Sequence, residues 1–225
     1  RILRVARFAA RYARLGFQVA DETRALMTEM VDSGEVDALV PERAWQEVER
    51  ALGEPTPARF FEVLRDCGAL DRLFPEIDRL FGVPQPEKYH PEIDTGIHSL
   101  MVLEQAAGLS EEPPTRLAAL LHDVGKGLTP PERWPSHRGH EELGAPEVEA
   151  LCQRFRAPNA FRDLALLVAR YHTDCHRSLE MRPSRVLTLL ETADAFRRPE
   201  RFREFVLACE ADARGRKGFA RSEER

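Results

Sequence analysis

Lysine is scarce in this chain of 225 residues, standing only at positions 88, 126 and 217, so the basic charge is carried almost wholly by arginine. A net charge of -5 argues against a protein that coats nucleic acid through bulk charge. No apolar run approaches the roughly 18 to 20 residues of a membrane span, and no basic region precedes a short apolar stretch as in a signal peptide. No membrane association and a cytoplasmic setting are therefore expected. The four cysteines, Cys67, Cys152, Cys175 and Cys209, form no CxxC pair and no compact framework. Reduced thiols are expected, and only Cys175, between His172 and His176, could serve as a ligand. A start signal is also missing: the chain opens in mid-pattern with RILRVARFAARYARLGF and reads as a fragment cut inside a helix.

What is present is enough to fold. Hydrophobic residues make up 43% of the chain, sufficient to bury a core. Helical periodicity with plausible caps runs through 21–34, 41–52, 57–67, 95–108, 115–126, 140–155, 158–176, 183–197 and 199–214. No segment alternates as a strand would, so the expected class is all-α. Prolines at 75, 84, 86 and 91 with Gly82 are too dense for a long helix, and they mark a structured linker. At 100° per residue, Arg1, Arg4, Arg7, Arg11 and Arg14 fall within an arc of about 140° on the first helix. That face either pairs with acidic neighbours or meets a phosphate backbone.

Six of the seven histidines lie between 98 and 176. His122 and Asp123 follow the apolar run LAALL, so they sit in the last turns of a buried helix, where an unpaired carboxylate is costly. A divalent metal would lift that cost, since imidazole and carboxylate together suit Mn, Fe, Co, Ni or Zn, or Mg if carboxylates dominate. Lys126, one turn beyond His122, could neutralise charge on a phosphate, or could simply favour a helix C-terminus.

His98, the HDVGK stretch and Asp194 in ETADAFR resemble the H...HD...D signature of the HD superfamily, whose members are metal-dependent phosphohydrolases on a helical bundle. The resemblance implies His98, His122, Asp123 and Asp194 as ligands of one metal, with His140 and His172 as further ligands where two ions bind; His137 and His176 are weaker candidates. On a metal there, Asp123 is expected as ligand and proton acceptor, with Lys126 beside it in catalysis. The longer stretches FPEIDRLFGVPQPEKYHPEIDTGIHSLMVL, LLHDVGKGLTPPERWPSHRGHEELG and ACEADARGRKG are similar to the HD domain of bacterial CCA-adding tRNA nucleotidyltransferases. RILRVARFAARYARLGF resembles the end of that family's EDxxRxLRxxRF motif, and PERAWQEVERAL its ERxxxE motif.

This second resemblance implies a helical neck at 1–75, a Pro-rich linker at 76–90, an HD phosphohydrolase bundle at 91–215 and a tail at 216–225. Arg1 and Arg4 would then face nucleotide or tRNA. The implied partners are tRNA and RNA ends bearing 2',3'-cyclic or 2'-phosphates, with ATP and CTP serving the intact enzyme. The implied cofactor is a divalent ion, Ni, Mn, Co or Mg, with Mg for a nucleotidyltransferase head that is not expected in this chain. Nucleotide addition by the chain itself is therefore not expected. The alternative is a tRNA-holding scaffold.

Overall fold

The computed structural model describes residues 1–87 and 93–216. Among them the fold is all-α, with twelve α-helices, short 3-10 turns and no strand beyond one isolated bridge between Pro84 and Asp94. The N-terminal helices are α1 (Ile2–Tyr12), α2 (Asp21–Asp32), α3 (Pro41–Leu52), α4 (Ala58–Asp66), α5 (Ala69–Leu73) and α6 (Pro75–Asp78). The bundle follows as α7 (Thr95–Leu109), α8 (Pro113–Leu121), α9 (His140–Phe155), α10 (Asn159–His176), α11 (Pro183–Thr192) and α12 (Pro199–Arg214).

Helix α8 is the axis of the bundle. Its stretch Thr115 to Leu121 is buried on every side, as a helix apolar all round must be, and α3, α7, α10 and α12 pack against it. The expected helix over 115–126 therefore ends early. His122 closes α8, Asp123 leaves helical geometry at φ -111° and ψ 13°, and Val124–Leu128 continues as a 3-10 turn. This turn lies against α9 at very short range. A Cβ on Gly125 would stand 1.9 Å from the His140 carbonyl oxygen and 2.6 Å from the Gly144 nitrogen, so only glycine permits the crossing.

The segment expected as a Pro-rich linker over 76–90 is described to residue 87 and is folded there. Ile77 and Leu80 are fully buried, and Phe74 stacks on Phe155 of α9 with ring centroids 4.8 Å apart. Residues 88–90 of that linker, the start of the bundle assigned at 91, and the tail from 217 onward lie outside the described residues.

The N-terminal helices and the bundle share one core. Trp45 of α3 meets Phe161 of α10 edge to face at 4.8 Å. Arg116 of α8 is buried and donates to the carbonyls of Leu52, Glu54, Ala107 and Ser110 at 2.7–3.2 Å, tying the end of α3 to the α7–α8 corner. On α1 the arginine face is divided. Arg1, Arg4, Arg11 and Arg14 are exposed, whereas Arg7 turns inward to Glu47 at 2.7 Å and Glu54 at 3.2 Å.

Candidate metal centre

Six side chains converge in the bundle. His98 comes from α7, His122 and Asp123 from the end of α8, His140 from the first turn of α9, His172 from α10 and Asp212 from α12. All six are buried, with relative exposures from 0% for His98 to 9% for His140. They form two sets, His98 with His122 and Asp212, and Asp123 with His140 and His172, in each of which the ligand atoms lie within 4.8 Å of one another. The sets touch where His122 Nε2 stands 2.9 Å from Asp123 Oδ2.

Helices α8, α9 and α10 present their histidines in the same way. Nδ1 of His122 donates to the Ala119 carbonyl at 2.8 Å, Nδ1 of His140 to His137 at 3.0 Å, and Nδ1 of His172 to Val168 at 3.0 Å. A carbonyl can only accept, so in the neutral ring the proton is on Nδ1 and the Nε2 lone pair faces the centre. Those lone pairs meet carboxylate oxygens: Nε2 of His140 and of His172 lie 3.1 and 3.4 Å from Asp123 Oδ1, and the two Nε2 atoms are 3.4 Å apart. Lone pair against lone pair is repulsive unless a cation lies between. Among the described residues the buried His122 Nε2 and Asp123 Oδ1 have no well-formed hydrogen bond. Backbone carbonyls that fix the tautomer, with lone pairs aimed inward, are the arrangement a metal-ligating histidine requires, so the residues present fit a divalent ion.

Burial pushes the Asp123 carboxyl up, but His122 and Lys126, with the close approach of His140, overcome it and hold the group well below the usual carboxylate range. Burial acts likewise on Asp212, and His122, His176 and His98 together hold it well below that range. Burial pushes the His172 imidazole down, toward the neutral form, whereas at His140 the neighbouring Asp123 outweighs burial and raises the imidazole. Lys126 is buried, with Nζ 2.6 Å from Asp123 Oδ2.

Asp194, expected among the ligands, is not brought into either set. Helix α11 ends at Thr192, and Asp194 sits past it with φ at +55°, its carboxylate held by Arg197 at 2.7 Å and Arg198 at 3.4 Å. The carboxylate beside His98 and His122 comes from Asp212, with Oδ1 3.0 Å from His98 Nε2. Asp212 lies on the buried stripe of α12 with Phe205, Ala208 and Cys209, a 3–4 spacing that was readable in the sequence. An acid on an apolar stripe is the signal that could have found it. His176, a weaker candidate, supports Asp212 Oδ2 through Nε2 at 2.6 Å. His137 faces elsewhere, clamped between Thr129 Oγ1 at 2.5 Å and the Pro84 carbonyl at 2.7 Å.

Comparison with known proteins accords with this geometry. Residues 95–198 match the HD domain family, and residues 16–81 match the family described as the probable RNA and SrmB-binding site of polymerase A. The chain is 71% identical over 219 residues to a protein of Thioalkalivibrio sulfidiphilus named multifunctional CCA protein, covering 97% of this chain and 54% of that one. Proteins of the same name from Methylococcus capsulatus and Nitrosococcus oceani are 64% and 63% identical, each over 97% of this chain and 52% and 53% of their own. The chain thus spans about half the length of the curated relatives it matches. Over that half it is similar to the multifunctional CCA proteins, and His98, His122, Asp123, His140 and His172 of the cluster lie within its match to the HD domain family.

Proposed function

We propose that this chain is a metal-dependent phosphohydrolase that acts on phosphate esters at RNA ends, with 2',3'-cyclic and 2'-phosphates as substrates and tRNA as the RNA. The single observation that carries the reading is the double ligand set, buried in the bundle with three imidazole lone pairs aimed inward. His98, His122, Asp212, Asp123, His140 and His172 would hold one ion or two adjacent ions, of Mn, Co, Ni or Mg. A bound ion supplies Lewis acidity toward a phosphoryl oxygen and an activated water.

The chain's own residues do the rest. Asp123 faces His140 and His172 through one oxygen and His122 and Lys126 through the other, so it accepts a proton at Oδ1 or Oδ2 while remaining oriented. The Lys126 ammonium adds positive charge where a phosphoryl group gathers negative charge. The backbone clamps on His122, His140 and His172 keep their donors in place without rearrangement.

The test is hydrolysis of a 2',3'-cyclic nucleotide with each ion and with chelator. Turnover that needs an ion and is lost in His122→Ala supports the reading, and equal turnover with chelator sinks it. A second reading, a scaffold that holds tRNA, is favoured by the match to an RNA-binding family over residues 16–81 and by the exposed Arg1, Arg4, Arg11 and Arg14. Both roles fit one chain. Loss of hydrolysis in His122→Ala with tRNA affinity unchanged assigns them to different parts of the chain. CCA addition belongs, on this reading, to a longer protein that includes a nucleotidyltransferase head using ATP, CTP and Mg.

A further inference from the structure

Gln85 stands next to the ligand cluster without belonging to it. Its residue is 2% exposed, its Oε1 accepts from Lys126 Nζ at 2.6 Å, and its Nε2 is buried with no hydrogen-bond partner among the described residues. An ammonium has only hydrogens to offer, so the amide oxygen must face Lys126 and the orientation of the carboxamide is fixed. As a structural element the residue is a poor choice. A stranded buried donor costs about 1–3 kcal/mol, which an apolar side chain of similar volume avoids. Yet the backbone is built to hold the residue there. His137 Nε2 grips the Pro84 carbonyl at 2.7 Å, Thr129 fixes the other face of His137, and the backbone N–H of Gln85 donates to the Ile93 carbonyl at 2.6 Å.

We propose that Gln85 is a positioning residue for the hydrolytic reaction. It holds Lys126 so that one N–H goes to Asp123, one to Gln85, and the third alone is left for a phosphoryl oxygen of the substrate. His137 acts behind it by pinning the segment that carries Gln85. The inference rests on the phosphohydrolase reading and extends it to residues outside the ligand set. Without Gln85, Lys126 keeps its ion pair with Asp123 but swings about that single contact, and displacements of this kind cost up to about a hundredfold in rate.

The experiment compares wild type, Gln85→Leu and Gln85→Glu. Reductive methylation of the metal-free protein, read by mass spectrometry with Lys217 as internal standard, reports how firmly Lys126 is held. Hydrolysis of a 2',3'-cyclic nucleotide with Mn reports the consequence. Gln85→Leu is expected to methylate at Lys126 at least about threefold faster, and to lose about 10- to 100-fold in kcat with KM within about threefold. Gln85→Glu, which keeps an acceptor oxygen at the same reach, is expected to restore protection of Lys126. Methylation of Lys126 at the wild-type rate in Gln85→Leu, or faster methylation with kcat unchanged, overturns the proposal. If circular dichroism shows Gln85→Leu unfolded, Gln85→Met carries the same comparison. Wild-type protein with no metal-dependent turnover would count against the functional reading, and the methylation rates would still decide whether Gln85 restrains Lys126.

Discussion

Asp212 has a demanding position: fully buried, with His98 and His176 on its two oxygens and His122 3.7 Å away. Asp194 has an undemanding one, on a turn beside two exposed arginines. Their substitutions should therefore diverge. Asp212→Asn is expected to lower metal-dependent turnover about 100-fold or more, whereas Asp194→Asn stays within about threefold, since an exposed ion pair contributes at most about 1 kcal/mol. Steady-state rates with saturating Mn make the comparison, and equal losses would return Asp194 to the ligand set. The contrast also marks what could be read in the residues alone. His98, His122, Asp123, His140 and His172 stand out because histidines cluster and because a histidine and an aspartate end a helix with no polar face. Asp194 misleads because its distance along the chain suits the signature, while only the end of α11 and the left-handed turn beyond it decide where its side chain goes.

Elements are held by a few contacts whose removal has a definite cost. The HDVGK turn crosses α9 through Gly125, so Gly125→Ala must separate two backbones rather than bend a side chain. An overpacking cost of about 1–3 kcal/mol or more is expected, with chemical denaturation as the measure, and an unchanged midpoint would refute the close crossing. Trp45→Ala, which empties the contact with Phe161 between α3 and α10, should cost about 3–5 kcal/mol. Glu104 of α7 offers a pH test. Burial raises its carboxyl above the ordinary 4.5, only partly offset by the hydrogen bond from the Ala58 amide. A raised carboxyl favours the folded state below the unfolded value and loses that contribution as pH climbs through the folded one. Glu104→Gln should therefore be more stable than wild type at neutral pH, with the gap closing below about pH 4.5. The helices themselves were legible: α3, α9 and α12 begin and end where proline, glycine and periodicity place them. The short α6 was not, because prolines and a glycine around it outweigh four helical residues in any local reading.

At the scale of the molecule the ligand cluster is a cross-link waiting for its ion. An ion that binds only the folded state at 100 times its dissociation constant adds about 2.7 kcal/mol, or about 5–10 °C in a domain of this size. Differential scanning calorimetry with Mn and with chelator should show that shift, and Asp212→Asn should abolish it. No shift in the wild type would mean that the six side chains hold no ion.

His98 and Asp212 meet across 114 residues of sequence, and the HD family match stops at residue 198, before the last helix begins. During synthesis, then, the histidines of α7 to α10 leave the ribosome well ahead of the carboxylate that completes the first ligand set. Until α12 docks, the nascent bundle presents imidazoles without their full complement of negative charge. A ribosome stalled before residue 212 would carry a chain that holds every residue of the second ligand set while the first still lacks its carboxylate.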